Sequence, residues 1–279
     1  MTQHLSVQDL KVDYRVEANG TVQYVPAVRG VSLEVEAGTS LGILGETGSG
    51  KSTLIAAIMR LLPRTARWEG RIRLGDLELS AMRERDLQKV RGTIIGQIFQ
   101  DPAAALNPVI KVGTQIADTA RTHDRTLSRR AAREVAAQLL ESLGVPREKL
   151  DSYPHQLSGG LQQRALIATV LVGNPGFLLA DEPTAALDKV TEAQIVRLLR
   201  RLQEERGLGL VVISHDIGVV ESLCDRLIVM YHGRIVEAGK TADVLEDPQH
   251  PYTIGLVRAS RRDRDASGRL VTVSPTWEV

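Results

Sequence analysis

Cysteine is nearly absent from this chain, since Cys224 is the only one among 279 residues. A single cysteine excludes a disulfide framework and a cysteine-ligated metal site within the chain, and it fits a reducing compartment. The surrounding stretch ESLCDRLIVMY predicts a small buried thiol. The six histidines show no spacing typical of metal ligands, so they predict no metal site either.

Long hydrophobic runs are also missing. No apolar stretch approaches the roughly 18 residues that a membrane-spanning helix needs. The N-terminal MTQHLSVQDLKVDY lacks the basic-then-apolar pattern of a signal peptide. The formal net charge is only +1, so no global field draws the chain to nucleic acid or anionic lipid. We expect a soluble protein that reaches a membrane only through a partner.

Aromatic residues make up only 3% of the chain, and we find neither internal repeats nor low-complexity tracts. The hydrophobic content of 43% is nonetheless ordinary and sufficient for a sizeable core. Arginines near the end of the chain alternate with acids, which favours a solvated surface over a nucleic-acid site. These residues are Arg258, Arg261, Arg262 and Arg264, with Asp263 and Asp265 between them.

Strand patterns alternate with helical patterns over most of the chain. LGILG is apolar without alternation, as in a strand buried on both faces, and FLLAD, GLVVIS and RLIVMY follow later. Residues 51–62 carry apolar residues at helical spacing, and Pro63 is expected to end that helix. Residues 107–173 show helical patterns only, including SRRAAREVAAQLLESLG with a Ser cap. The order predicts an α/β fold with a mainly parallel sheet and an inserted helical block.

GETGSGKS at residues 45–52 follows a strand and opens a helix, which is the context that G-x-x-x-x-G-K-[ST] requires. Glycines let backbone N–H groups face phosphates, Lys51 reaches the β- and γ-phosphates, and Ser52 binds Mg²⁺. The segment therefore predicts a nucleoside triphosphate site. Its candidate residues are Gly45, Glu46, Thr47, Gly48, Ser49, Gly50, Lys51, Ser52 and Thr53.

Polar side chains follow three later strands. In FLLADEP, an apolar strand is followed by two acids. Asp181 is expected to hold Mg²⁺ through its water shell, and Glu182 is placed to polarise an attacking water. Gln100 ends TIIGQIFQ, where its amide reaches Mg²⁺ or the water, or only begins an exposed turn. His215 follows LVVIS, where it contacts the γ-phosphate or serves a structural role.

LSGGLQQR at residues 157–164 reads as a small-residue turn before a helix. Ser158, Gly159 and Gly160 place a hydroxyl and accessible backbone at a helix N-terminus, which suits an anion. The chain thus carries two candidate phosphate-binding segments far apart in sequence.

These motifs, in the order GETGSGKS, Gln100, LSGGLQQR, FLLADEP, AALD and SHD, resemble the ABC-type ATPases over nearly the whole chain. The resemblance implies a P-loop NTPase fold with a mainly parallel sheet, N-terminal antiparallel strands and an inserted helical subdomain. It also implies that two such domains pair head to tail, with each ATP between one phosphate loop and the partner's LSGG segment. The residues that would serve the partner's nucleotide are Ser158, Gly159, Gly160 and Gln162.

The resemblance also assigns roles to single residues. It makes Glu182 the hydrolytic carboxylate, Gln100 the coupling glutamine and His215 the switch histidine. Asp188 in AALD becomes the acid that crosses the dimer interface. The adenine is expected to stack on Tyr14, with Tyr24 as second choice, although either is also compatible with a simple strand-edge tyrosine.

A narrower resemblance is to the ATPases of peptide/nickel importers, carried by IFQDPAAALNP, YPHQLSGG, VMYHGRIVEAG and HPYT. It implies a second ATPase subunit, expected to be a paralogue, two membrane permeases, an extracytoplasmic binding protein and a place at the cytoplasmic face of the membrane. Many such ATPases carry a C-terminal iron–sulfur cluster, but this tail has no cysteine and none is predicted. Peptides, nickel or another chelated metal, and opine-like compounds all remain open as cargo.

Four segments follow from this reading: residues 1–100 and 174–245 form the ATPase core, 101–173 the helical signature subdomain and 246–279 a short extension. Two alternatives remain. An exporter ATPase shares the same catalytic core, and a chromosome or DNA-repair ATPase shares LSGG but requires a long coiled coil, for which no sustained heptads occur here.

Overall fold

The structure is a computed structural model that describes residues 4–18 and 20–261. The arginine–aspartate run at 262–265 therefore lies outside the described residues. The strands are β1 His4–Ala18, β2 Thr21–Glu36, β3 Ser40–Leu44, β4 Arg67–Leu74, β5 Leu77–Glu78, β6 Ile95–Ile98, β7 Phe177–Asp181, β8 Gly209–Ser214, β9 Arg226–Tyr231 and β10 Arg234–Lys240.

Helices follow most of the strands. The α-helices are α1 Lys51–Ile58, α2 Glu84–Val90, α3 Pro102–Ala105, α4 Val112–His123, α5 Arg129–Ser142, α6 Gly159–Leu171, α7 Lys189–Arg206, α8 Ile217–Leu223, α9 Thr241–Glu246 and α10 Pro251–Ser260. Short 3₁₀ helices lie at Leu79–Ala81, Arg147–Asp151 and Pro154–Gln156. None of the helices in the described ranges has the length and hydrophobicity needed to traverse a bilayer.

The chain divides into two compact units. The first consists of Met1–Ala81 and Val211–Val279, and the second of Met82–Leu210. The four segments expected from the sequence have different boundaries, after residues 100, 173 and 245, and remain a prediction.

Antiparallel strands open the first unit. Long β1 pairs with β2 on one side and with β4 on the other, in the order β2-β1-β4-β5. Leu5, Val7, Leu10 and Val12 of β1 are all buried, because alternate positions of a strand point to the same face until a register shift near Asp9. The N-terminal antiparallel strands agree with the prediction.

A parallel pair lies at the centre of the first unit. β3 runs parallel to β9, with Gly42 opposite Leu227, and β10 pairs antiparallel with β9. Every residue of β3 is buried, as predicted for a strand covered on both faces. A Cβ at Gly42 would lie 2.5 Å from Val220 Cγ1 and 3.3 Å from Cys224 Sγ, so α8 packs directly against this strand.

Cys224 is 5% exposed in this contact. We expect its thiol to react with Ellman's reagent at least about 100-fold more slowly in the native protein than in the unfolded chain, because reaction requires opening of a packed core. Native protein and protein in guanidinium chloride are compared at the same pH, and the unfolded chain should release one equivalent of the chromophore. Rapid reaction of the native protein would contradict the buried position.

The second unit combines a parallel strand pair with helices. β6 and β7 are parallel, with Ile98 opposite Ala180, so both strands end at the same edge. Ser128 caps α5 by accepting a hydrogen bond from the Ala131 N–H, as the sequence predicts. The helical block expected over residues 107–173 is present as α4, α5, α6 and two 3₁₀ turns.

The helix predicted over residues 51–62 ends at Ile58, so the expected end at Pro63 is wrong. Arg60 has φ +54, and its guanidinium donates 2.7 Å hydrogen bonds to the carbonyls of Leu79 and Ser80. It also lies 4.5 Å from the ring centre of Trp68. The N–H groups of Arg60 and Leu61 donate to the carbonyls of Ala57 and Ala56 at 2.9 and 2.8 Å, the hydrogen-bond pattern of a helix that ends at a left-handed residue.

Candidate active site

The phosphate-binding segment leaves β3 through two glycines that no other residue can replace. A Cβ at Gly45 would lie 2.3 Å from the Met230 carbonyl oxygen, and one at Gly50, which has φ +102, would lie 2.3 Å from that of Ala27. Only glycine allows backbone to pass this closely. Gly50 then caps α1 without a side-chain hydrogen bond, which leaves the helix N-terminus suited to an anion.

Lys51 lies across this loop. Its side chain is buried, and Nζ donates 2.7 Å hydrogen bonds to the carbonyls of Gly45 and Glu46 and a 3.4 Å contact to Ser49 Oγ. Phosphate oxygens suit an ammonium in this position, because they carry charge of the opposite sign.

The loop is also held from the C-terminal part of its own unit. The Gly233 N–H, in the turn between β9 and β10, donates to the Ser49 carbonyl at 3.0 Å. The Glu46 N–H donates to the Tyr252 hydroxyl at 2.9 Å. Sequence reasoning missed the Tyr252 contact, because HPYT indicated only the resemblance to importer ATPases. Burial raises the pKa of Tyr252 to about 12, so its hydroxyl stays neutral at ordinary pH.

The two candidate tyrosines for adenine differ in their surroundings. Tyr14, on β1, is half-buried, and its hydroxyl lies 3.3 Å from Thr53 Oγ1 in the first turn of α1. The ring of Tyr24 already has the Arg67 guanidinium 3.6 Å from its centre. The arrangement favours Tyr14, which adjoins the phosphate-binding helix.

In the second unit, Gln100 and Glu182 meet at the common edge of β6 and β7. Gln100 Nε2 donates a 3.1 Å hydrogen bond to Glu182 Oε2. Glu182 has φ +46, a left-handed conformation that costs a non-glycine residue about 1–3 kcal/mol and clusters at functional sites. Asp181, the residue before it, is half-buried at the end of β7. The side chains follow parallel strands to one place, as the strand-end pattern predicts.

The oxygen donors suggested for Mg²⁺ fit that cation chemically. Ser52, Gln100 and Asp181 offer a hydroxyl, an amide and a carboxylate, and Mg²⁺ usually takes one or two protein oxygens and completes its shell with phosphates and water. Over the described ranges, no group of three or more His, Cys, Asp or Glu forms a dedicated metal cage.

The LSGG segment begins α6. Ser158 is its exposed N-cap, but the hydroxyl makes no capping hydrogen bond. A Cβ at Gly160 would lie 2.5 Å from Thr191 Cγ2, so glycine allows α6 to approach α7 closely. Gln162 Nε2 donates to the carbonyls of Pro154 and Leu157 at 2.9 and 3.2 Å. Gln162 thus secures the turn before the helix, a task that the sequence did not reveal.

Asp188 lies at the N-terminus of a helix, and His215 lies in the segment between a strand and a helix. Asp188 caps α7: its carboxylate accepts the N–H groups of Val190 and Thr191 at 3.0 Å and the Thr191 hydroxyl at 2.6 Å. Those bonds, led by the Thr191 hydroxyl, lower the pKa of Asp188. His215 is exposed between β8 and α8. Their roles toward a nucleotide stay predictions.

Known proteins are similar to this chain in sequence and in fold. A family model described as ABC transporter matches residues 28–185, and one described as oligopeptide/dipeptide transporter, C-terminal region, matches residues 236–276. The oligopeptide transport ATP-binding protein OppD of Bacillus subtilis is 42% identical over 272 residues, which cover 96% of this chain and 74% of that protein. The dipeptide transport ATP-binding protein DppD of the same organism is 42% identical over 261 residues, which cover 92% of this chain and 76% of that protein.

A solved structure agrees with the sequence relatives. The dimeric post-hydrolysis state of the ATP-binding cassette MJ0796, bound to ADP and Pi, superimposes with a TM-score of 0.74 at 30% identity, covering 85% of this chain and 98% of that one. The predicted fold class and the resemblance to peptide importer ATPases are confirmed. The family match over more than half of the chain, and the relatives along nearly all of it, establish that this protein belongs to the ABC transporter family.

Proposed function

We propose that this chain is the ATP-hydrolysing subunit of a peptide importer. The observation that carries the proposal is the joint match of the ABC transporter model and the oligopeptide/dipeptide C-terminal model to one chain. The phosphate-binding loop and the Gln100–Glu182 pair supply the chemistry that such a subunit needs. Energy from ATP hydrolysis then drives uptake through separate membrane subunits.

The proposed reaction is in-line attack of water on the γ-phosphate of ATP. The backbone N–H groups around α1 and the Lys51 ammonium bind the phosphates. Glu182 accepts the proton of the attacking water, and Gln100 fixes the carboxylate through its 3.1 Å hydrogen bond. Mg²⁺, when bound, neutralises charge on the β- and γ-phosphates, and Ser52, Gln100 and Asp181 are the residues that would hold it. His215 would sense the γ-phosphate.

Two phosphate-binding segments in one chain are explained by a head-to-tail dimer. In this arrangement Ser158, Gly159 and Gly160 complete the anion site on a nucleotide held by the partner. Asp188 would then face the partner across the interface. The dimeric state named for the solved relative supports this part of the proposal.

Ser158→Ala tests the segment without a structural side effect. Ser-to-Ala at an N-cap usually costs about 1 kcal/mol, but the Ser158 hydroxyl makes no capping bond, so we expect an unchanged Tm. Loss of a donor to the partner's nucleotide should weaken ATP-dependent dimerisation about 3- to 10-fold. Analytical ultracentrifugation with ATP measures the effect, on this chain in the slowly hydrolysing Glu182→Gln background mixed with the second ATPase that co-purifies with it.

Ser128→Ala is the matched control, because the Ser128 hydroxyl does cap α5. It should lower Tm and leave dimerisation unchanged. A Ser158→Ala protein that dimerises as tightly as its parent would contradict the role in trans.

Exposed apolar side chains in the segment that follows β6 support contact with a permease. Phe99 and Val109 are 46% and 77% exposed. Unpartnered apolar surface of this kind favours a protein interaction, and we propose that a cytoplasmic helix of a permease covers it when the dimer closes.

The proposed assembly contains this chain, a paralogous second ATPase, two permeases and an extracytoplasmic binding protein, with the chain at the cytoplasmic face of the membrane and no direct nucleic-acid partner. Affinity purification of the tagged chain from detergent-solubilised membranes, followed by mass spectrometry, tests it. Recovery of two permeases and a second ATPase supports an importer, and the binding protein found with them indicates peptide, nickel or opine-like cargo. Recovery of soluble partners or nucleic acid alone contradicts the transport assignment.

A further inference from the structure

The C-terminal helix α10 reaches the phosphate-binding loop through one side chain. Tyr252 is 0% exposed, and its hydroxyl accepts the Glu46 N–H at 2.9 Å. Glu46 is the second residue of GETGSGKS, so a residue outside the motif holds the motif's backbone. We propose that Tyr252 is a positioning residue for nucleotide binding, which couples the C-terminal segment to the occupancy of the loop. The inference rests on the proposed function as an ATPase.

The peptide between Gly45 and Glu46 is a junction inside the loop. Its carbonyl, that of Gly45, accepts the Lys51 ammonium at 2.7 Å, while its N–H, that of Glu46, donates to the Tyr252 hydroxyl at 2.9 Å. Lys51 and Tyr252 therefore fix this plane from opposite edges, and the next plane is held through the Glu46 carbonyl, which accepts Lys51 at 2.7 Å and the Ser49 N–H at 3.1 Å. Tyr252 orients the plane that in turn orients Lys51.

Tyr252 itself is held firmly. Its ring packs on that of Tyr231 at the end of β9, with a centroid separation of 4.3 Å. Its backbone N–H donates to His250 Nδ1 at 3.2 Å. The Glu237 carboxylate accepts the backbone N–H groups of Gln249 and His250 at 2.7 and 3.0 Å. The turn that delivers the hydroxyl is thus attached to β10 before the helix begins.

Preorganisation explains why the hydroxyl matters for binding. A loop held in its binding conformation loses less conformational freedom when phosphate arrives. Without the hydroxyl, the Glu46 N–H loses the partner that aligns its peptide, and part of the binding free energy is spent on ordering the loop. By linkage, nucleotide bound at the loop must stabilise α10 by the same factor.

Tyr252→Phe removes the hydroxyl and keeps the ring. With the full chain and the non-hydrolysable analogue AMP-PNP, we expect the Kd to rise about 3- to 10-fold, which corresponds to the usual net contribution of one hydrogen bond. Thr253→Val is the matched control: Thr253 is the next residue of α10, fully buried, and its Oγ1 has no hydrogen-bond partner in the part of the chain that the structure describes. It should leave the Kd unchanged.

The outcomes are distinct. A weaker Kd for Tyr252→Phe alone, with a Tm like that of the control, supports positioning. A Kd equal to wild type, or equal losses in both variants, overturns it, because the effect would then be absent or general to α10. Failure of the wild-type chain to bind AMP-PNP would instead contradict the proposed function.

Hydrogen exchange gives a second readout, which begins with the wild-type chain. Nucleotide should slow exchange of the α10 amides, such as Ile254 N–H, which donates to the His250 carbonyl at 3.0 Å. The slowing should disappear in Tyr252→Phe. Exchange of α10 that is indifferent to nucleotide in the wild-type chain overturns the coupling.

Discussion

Glu182→Gln is expected to lower ATP hydrolysis by about 10²- to 10⁴-fold, the usual contribution of a general base. The amide has the size of the carboxylate but cannot accept the proton of the attacking water. Binding should survive, because the loop and Lys51 belong to other elements of the chain. Steady-state phosphate release gives kcat, and equilibrium titration with ATP gives the Kd.

Glu182→Gln removes the carboxylate while it preserves the backbone conformation and the hydrogen bond at this position. Glu182 has φ +46, and Gln keeps the same backbone requirement, so the strain is unchanged. A Gln side chain can still accept the hydrogen bond from Gln100 Nε2. Glu204→Gln is the control, since Glu204 forms an exposed ion pair with Arg200 on α7, and such pairs contribute little. Turnover near wild type in Glu182→Gln would refute the assignment of the base.

Lys51→Ala is expected to weaken ATP binding about 10- to 150-fold, which corresponds to about 1.5–3 kcal/mol for hydrogen bonds to a charged group. The ammonium has two tasks. It supplies positive charge to the phosphates, and it ties the carbonyls of Gly45 and Glu46 across the loop at 2.7 Å each. Isothermal titration with AMP-PNP measures the loss directly.

Two companion variants separate charge from folding. Lys51→Met keeps an apolar stem in the buried site and should bind nearly as weakly as Lys51→Ala, with a smaller change in Tm. Lys89→Ala removes a lysine whose side chain is 71% exposed and should bind like wild type. An unchanged Kd in Lys51→Ala would reject the phosphate-binding role of this loop.

The tertiary structure changes how several sequence features are understood. Asp188 is predicted to cross a dimer interface and Gln162 to serve the partner's nucleotide, and within the chain the first caps α7 while the second ties the turn before α6. Both contacts are local hydrogen bonds that polar residues near helix ends form readily. Such bonds are compatible with a second task in a dimer.

Local patterns in the sequence were sufficient to predict the phosphate loop, the end of β7, the cap of α5 and the α/β class, whereas the strand read through Gln100 ends at Ile98. Glycine spacing, buried strand runs and helix caps act over a few residues, so they can be read without knowing the fold. The contact between Gln100 and Glu182, which are 82 positions apart, could also be predicted from the sequence, because the C-terminal ends of parallel strands lie at the same edge of a sheet.

Only the tertiary structure decided which distant groups complete those local features. Arg60, which follows the early end of α1 in a left-handed conformation, donates from its guanidinium to the carbonyls of Leu79 and Ser80. Tyr252 meets Glu46 across 206 positions because β9 lies beside β3 and brings the C-terminal turn to the loop. Neither contact has a local sequence signal, since each depends on a path of the chain that packing of the whole core selects.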